Sequence, residues 1–151
     1  MQHIICFGNP LHGDDGFGSV VYQRLANISL PDDVRIYDAG TPGLNAMVLF
    51  EHCDEVIIVD AFAPHGMPGR LHYLTPEQLS DDLLLPSHGT GVAFLLRSVK
   101  ALNHIRPTIN IIAVEAESIA PFQPGLSLSV TRAVDKVEAF LLNYAGLDCH
   151  A

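Results

Sequence analysis

Val56-Ile57-Ile58-Val59 is an unbroken run of β-branched residues. Such a run suits a strand covered on both faces, which is the situation of inner strands in a parallel sheet. Ile4-Ile5-Cys6-Phe7 is a short apolar run, and the isoleucine-rich stretch Thr108 to Val114 reads as another buried strand. The segments between them carry apolar residues at helical spacing, and short strands joined through helices run parallel by default. The expectation is therefore an α/β fold in a single domain over residues 1–151.

Taken in order, residues 3–7 form the first strand, closed by Gly-Asn-Pro, a strand-stop signal. A helix follows from about Gly16 to Ala26, with Phe17, Val20, Val21 and Leu25 on one stripe. Val34 to Tyr37 makes a second strand running into Asp38, and a helix is expected from about Leu44 to His52. Glu55 to Val59 is the third strand and ends at Asp60. Ala63 to Gly69 is a Pro/Gly loop, and Arg70 to Leu74 reads as an edge strand of opposite sense. Thr75-Pro76-Glu77-Gln78 has the residues of a helix start, with proline at a first helical position. Residues 80–87 are expected to be irregular, with Leu83 to Leu85 either folded onto the core or exposed as a lid or docking surface. Helices over Val92 to Leu102 and Leu126 to Tyr144 flank the last strand.

Composition narrows the functions open to such a domain. Hydrophobic residues make up 48% of the chain and charged ones 17%, yet no span nears the roughly eighteen apolar residues of a membrane helix. No basic and apolar leader is visible at MQHIICFGNP, so a cytoplasmic protein is expected. A net charge of −9 disfavours nucleic acid as partner, because a phosphate backbone calls for a concentrated basic face. Cys6, Cys53 and Cys149 are odd in number and widely spaced, which argues against disulfides or a structural zinc site and for reduced, mostly buried thiols. His3, His12, His52, His65, His72, His104 and His150 show no ligand spacing, and each is read as a surface or turn residue.

The chemistry is expected where strands end. In Gly8 to Gly18, GNPLHGDDGFG, the chain turns from strand to helix with Asp14 and Asp15 presented at the turn. The plain alternative is that both aspartates serve only as helix cap and first-turn anions. Asp38 and Asp60 close the second and third strands. Parallel strands would bring these groups to one sheet edge, where α/β folds bind ligands. His88 precedes the helix that opens near Val92, and the helix dipole there favours a neutral, metal-competent imidazole. Asp15, Asp60 and His88 could together form a mixed oxygen and nitrogen metal site with open positions, suited to nickel, zinc, copper or iron.

The motifs GNPLHGDDGFG, DAGTPG, IIVDA and SHG, followed by ESIAPFQPGLS, stand in an order and spacing that resembles the hydrogenase maturation endopeptidases. These proteases trim the carboxyl terminus of nickel–iron hydrogenase large subunits. The resemblance implies a three-layer sandwich with a mostly parallel, five-stranded sheet, and a metal-binding cleft formed by Asp15, Asp60 and His88. The chain has aspartate at position 15 where some members have glutamate, which shortens the reach of that ligand. The resemblance also implies a part for Asp38 in substrate handling or cleavage. The implied substrate is the large-subunit precursor already loaded with nickel. The ion belongs to that substrate, and no organic cofactor is needed. Asp15, Asp60 and His88 would engage it, with Asp38 or a cleft carboxylate as base and the metal polarising a carbonyl or activating water. A monomer working in transient complex with its substrate is expected.

A non-catalytic metal-recognition or chaperone module for a nickel-bearing partner would use the same three side chains. A nucleotide-binding domain is poorly supported, since neither GxGxxG nor a P-loop is present and the first loop carries no basic residue. There is no GxSxG elbow and no HExxH helix, so neither a serine hydrolase of that type nor an ordinary zinc protease is indicated.

Overall fold

The computed structural model describes residues 1–79 and 91–147. Five strands, β1 (Gln2–Phe7), β2 (Val34–Gly40), β3 (Glu55–Phe62), β4 (Leu71–Leu74) and β5 (Thr108–Glu115), form one sheet in the order β2-β1-β3-β5-β4. β1, β2, β3 and β5 are parallel, and β4 runs antiparallel on the edge beside β5. Among the described residues there are three α-helices, α1 (Phe17–Ala26), α2 (Val92–Ala101) and α3 (Leu128–Tyr144). Among the described residues no helix is long and apolar enough to cross a membrane.

Alternation along the strands divides the apolar residues between two cores. Ile4, Cys6, Ile57, Val59, Ile112 and Val114 face α1 and α3, meeting Phe17, Val21, Leu25, Val130, Val134 and Val137. Ile5, Phe7, Val56, Ile58, Phe62 and Ile111 share the other core with Val92, Leu95 and Val99 of α2 and with Phe50. Complete burial of one such side chain contributes about 1.5–3 kcal/mol, so the inner strands are the strongest determinant of the architecture. The result is the three-layer α/β sandwich expected from the sequence.

Several local expectations need adjusting. The segment Leu44–Phe50 winds as a 3-10 helix rather than an α-helix. Only Ala46 and Phe50 of it are buried, so packing does not supply a full amphipathic stripe. β2 and β3 run on past Asp38 and Asp60, to Gly40 and Phe62, because neighbouring strands go on pairing with them. Both carboxylates thus lie within the last residues of strands rather than beyond them. The Thr75 start is a capping box, with the Thr75 N–H donating to Gln78 Oε1 at 3.0 Å, and it opens only the single 3-10 turn Pro76–Gln78. His3 is no surface residue. It is buried on β1, where Nδ1–H donates to the Leu49 carbonyl at 2.7 Å. The irregular segment 80–87, with Leu83 to Leu85, lies outside the described residues.

Candidate active site

Two glycines set the start of the site. Gly8 ends β1 at φ +148°, a conformation few side chains tolerate, and its N–H donates to the Gly40 carbonyl at 2.8 Å. Gly18, in the first turn of α1, lies so close to β1 that a Cβ there would run into the Phe7 carbonyl. Together they let the strand turn back at once through the 3-10 turn Gly13–Gly16 into α1. That turn stands over the carboxyl end of β1, beside β3. From β1 the chain goes to β2 on one side, and from β3 it continues to β4 and then β5 on the other, so this crevice is a topological switch point of the kind that binds ligands in α/β sheets.

The two adjacent aspartates have separate tasks. Asp14 is buried and accepts four hydrogen bonds: from the N–H groups of Glu117 (2.8 Å), Ser118 (3.2 Å) and Ser127 (2.6 Å), and from the Ser127 hydroxyl (2.9 Å). Neither aspartate caps a helix with its side chain. Asp14 instead ties the first turn to the segment after β5 and to the N-cap of α3, where Ser127 Oγ also accepts from the Val130 N–H at 3.4 Å.

Asp15 points elsewhere, half-buried, with the Asn9 N–H donating to Oδ2 at 3.1 Å. Burial raises its pKa, opposed by that N–H and by the charge of His12. Asp60 is buried near the end of β3 and accepts from the Ala61 N–H at 2.8 Å. Burial holds its pKa well above the usual carboxylate range, the Ala61 N–H opposes this, and the negative charge of Asp15 pushes it further up. By strand alternation Asp60 falls on the face shared by Ile58 and Phe62, the face that carries α2. Two carboxyls desolvated and repelling each other are relieved by a proton or by a cation between them. Perturbed groups in a crevice of this kind are the usual mark of a functional site.

Asp38 pairs in register with Cys6 on β1, is exposed, and accepts from the Ser19 hydroxyl at 3.2 Å. Asp38 and Asp60 approach Cys6 from opposite neighbouring strands. The Cys6 thiol is raised far above its ordinary pKa, first by burial and then by these two charges, so it is not a nucleophile. Among the described residues no three His, Cys, Asp or Glu side chains gather around a common point fit for a metal. The charge of Asp15 is felt by Asp60, and Asp38 and Asp60 flank Cys6 from β2 and β3. His88, the third expected ligand, lies outside the described residues.

Two supporting residues escaped sequence reasoning. Asp14 was visible only as half of a doublet, and nothing local distinguished the buried member from the available one. Glu115, 2% exposed at the end of β5, accepts at one oxygen from the N–H groups of His65 (2.6 Å) and Met67 (2.7 Å). It thereby holds the 63–69 loop against the sheet edge. A glutamate closing an isoleucine-rich strand was the available signal.

The family model described as hydrogenase maturation protease matches residues 20–144. A Methanocaldococcus jannaschii protein carrying that family's name is 30% identical over 145 residues, covering 92% of each chain. The hydrogenase 2 maturation protease of Escherichia coli K12 is 27% identical over 146 residues, covering 91% of this chain and 88% of that one. Among solved structures, the hydrogenase 2 maturation peptidase of Thaumarchaeota archaeon SCGC_AB-539-E09 superposes with a TM-score of 0.71 at 31% identity, covering 97% of this chain and 99% of the other. The chain belongs to the hydrogenase maturation protease family and is a peptide hydrolase.

Proposed function

We propose that the protein is an endopeptidase that removes a carboxyl-terminal peptide from the nickel-loaded precursor of a nickel–iron hydrogenase large subunit, with the substrate's nickel as the recognition element. The observation that carries this reading is the Asp15–Asp60 pair, two carboxyls desolvated against each other in the switch-point crevice. Such a pair is poised for a cation and poorly placed for an anionic ligand. Carboxylates with one imidazole suit a borderline metal such as nickel. His88, the third ligand expected from the sequence, supplies that imidazole in this reading.

In this picture Asp15 and Asp60 grip the metal centre of the precursor, and the grip positions the tail across the mouth of the crevice. Asp38, exposed and steadied by the Ser19 hydroxyl, is the carboxylate free to take a proton from an attacking water. Cys6 stays protonated beneath the site and contributes packing.

The test is to incubate the protein with nickel-loaded and nickel-free precursor and to measure the intact mass of each. Loss of a short carboxyl-terminal peptide from the loaded form alone is the expected result. Equal cleavage of both would defeat nickel recognition, and binding without any truncated product would assign the protein to metal recognition without catalysis.

A further inference from the structure

The segment Ala120-Pro121-Phe122-Gln123-Pro124 carries a feature that neither the fold nor the carboxylate pair requires. Phe122 is 81% exposed, and its backbone sits at φ +58°. A bulky residue in the left-handed region is an outlier, and strain of that kind persists only where surrounding structure enforces it. The other such non-glycine among the described residues, His52, lies in the turn entering β3, at the far end of the sheet.

The enforcing structure is the turn that carries the aspartates. The Gly13 N–H donates to the Gln123 carbonyl at 2.9 Å, and the Asp14 N–H donates to the Ser118 carbonyl at 3.0 Å. His12 and Gln123 form a parallel β-bridge. The Phe122 ring stands edge-on to the His12 imidazole, with centroids 5.9 Å apart and planes at 79°. The His12 carbonyl in turn accepts from the Asp15 N–H at 3.1 Å, and the His12 charge is felt by the Asp15 carboxyl. An exposed, strained aromatic ring is thus fixed through His12 to the lip of the crevice. Leu11, next to His12 in the chain, adds a second exposed apolar side chain at 52%.

We infer that Phe122 is a substrate-anchoring residue, which takes an apolar side chain of the polypeptide substrate beside the Asp15–Asp60 pair. Rigid aromatic side chains held at an interface carry a disproportionate share of binding. Strain accepted in the free protein to keep such a ring outward is preorganisation for a partner. The partner is the precursor polypeptide because the ring packs edge-on against His12 of the turn that would meet its metal centre, so the inference rests on the proposed function.

The experiment measures initial rates of processing and the Kd for nickel-loaded precursor, using the full chain and its Phe122→Ala, Phe122→Gly and Phe122→Tyr variants. Phe122→Ala is expected to raise KM and Kd about ten- to hundredfold, with kcat within about threefold of wild type. Phe122→Tyr should restore both constants to within a few-fold. Phe122→Gly should lose recognition as the alanine variant does while melting no lower than wild type, because glycine adopts φ +58° without strain. Unchanged KM and Kd in the alanine variant, or recovery of recognition in the glycine variant, would overturn the inference. Wild-type protein that binds the precursor without cutting it would sink the processing reading alone, leaving Phe122 to be judged on Kd. Failure of wild type to bind at all would sink both.

Discussion

The Ser127 N–H donates to Asp14 Oδ1 across 2.6 Å, and the Ser127 hydroxyl donates to Oδ2 at 2.9 Å, joining the first turn of the chain to the cap of its last helix. All four partners of Asp14 are donors, so the site needs a group that only accepts. Asparagine would present an amide to some of them. Asp14→Asn is therefore expected to destabilise the protein by about 2–4 kcal/mol, since hydrogen bonds to charged groups contribute about 1.5–3 kcal/mol each and buried donors would be left unmatched. Urea unfolding checks this, and a change within experimental error would remove Asp14 from its structural role.

Asp60 makes the opposite prediction. Its folded carboxyl holds a proton to higher pH than the unfolded one, whose ordinary value is 3.8. Below that value both states are protonated and the group has its full relative contribution. As pH rises towards the raised folded value the unfolded chain ionises first, and stability falls. Asp60→Asn should thus raise the melting temperature of chelator-treated, metal-free protein at pH 7.5. An increase of about 2–4 °C would correspond to about 1 kcal/mol. The gain should fade as the pH approaches 4. A gain that is independent of pH would mean that packing rather than charge is responsible.

Because Asp15 adds to the upward shift of Asp60, the two substitutions should not be additive. Either Asp15→Asn or Asp60→Asn alone removes the repulsion, so the double variant should be stabilised by less than the sum of the single ones. Strict additivity in a thermal double-mutant cycle would mean that the two carboxyls do not communicate.

The sheet could be read from the sequence because its signal is local: the β-branched run Val56 to Val59 and the apolar run Ile111 to Val114 declare themselves without reference to the rest of the chain. The antiparallel edge strand was readable from its alternation, and the strand-end positions of Asp15, Asp38 and Asp60 followed once the strands were parallel. The division of labour between Asp14 and Asp15 did not follow. It depends on Glu117, Ser118 and Ser127, about a hundred residues away, and which neighbour of a doublet faces inward is set by the turn geometry at Gly13–Gly16. Glu115 was hidden for a similar reason, as its partners His65 and Met67 lie on a loop whose path is fixed only in three dimensions. The 3-10 winding of Leu44–Phe50 was missed because apolar spacing does not distinguish a 3-10 segment from an α-helical one when packing is sparse.

Gly18 tests whether the crevice depends on close backbone approach. A Cβ at this position would meet the Phe7 carbonyl, the backbone of an inner strand that cannot move aside cheaply. Gly18→Ala should therefore cost several times the benefit of about 0.4–1 kcal/mol that a tolerated glycine-to-alanine change brings, through displacement of α1 from β1. Chemical denaturation would register the loss, and an alanine variant as stable as wild type would show that helix and strand can separate without penalty.

Asp15→Asn separates function from stability most cleanly. The side chain keeps its size, and among the described residues its Oδ2 accepts from one backbone N–H, that of Asn9, which the amide oxygen can still satisfy. Loss of the charge removes a desolvation penalty and the repulsion of Asp60, so the folded protein should melt no lower than wild type. Its affinity for a divalent cation, in contrast, should fall, because a neutral amide replaces one of two anionic oxygen donors. Processing of the nickel-loaded precursor is expected to drop by at least about a hundredfold, the scale seen when a single preorganised electrostatic contact is removed from an active site. Mass spectrometry of the precursor and a melting curve of the variant, taken together, decide the matter. A stable variant that still processes precursor at the wild-type rate would exclude Asp15 from the site, and an unstable one would place it beside Asp14 among the residues that hold the fold.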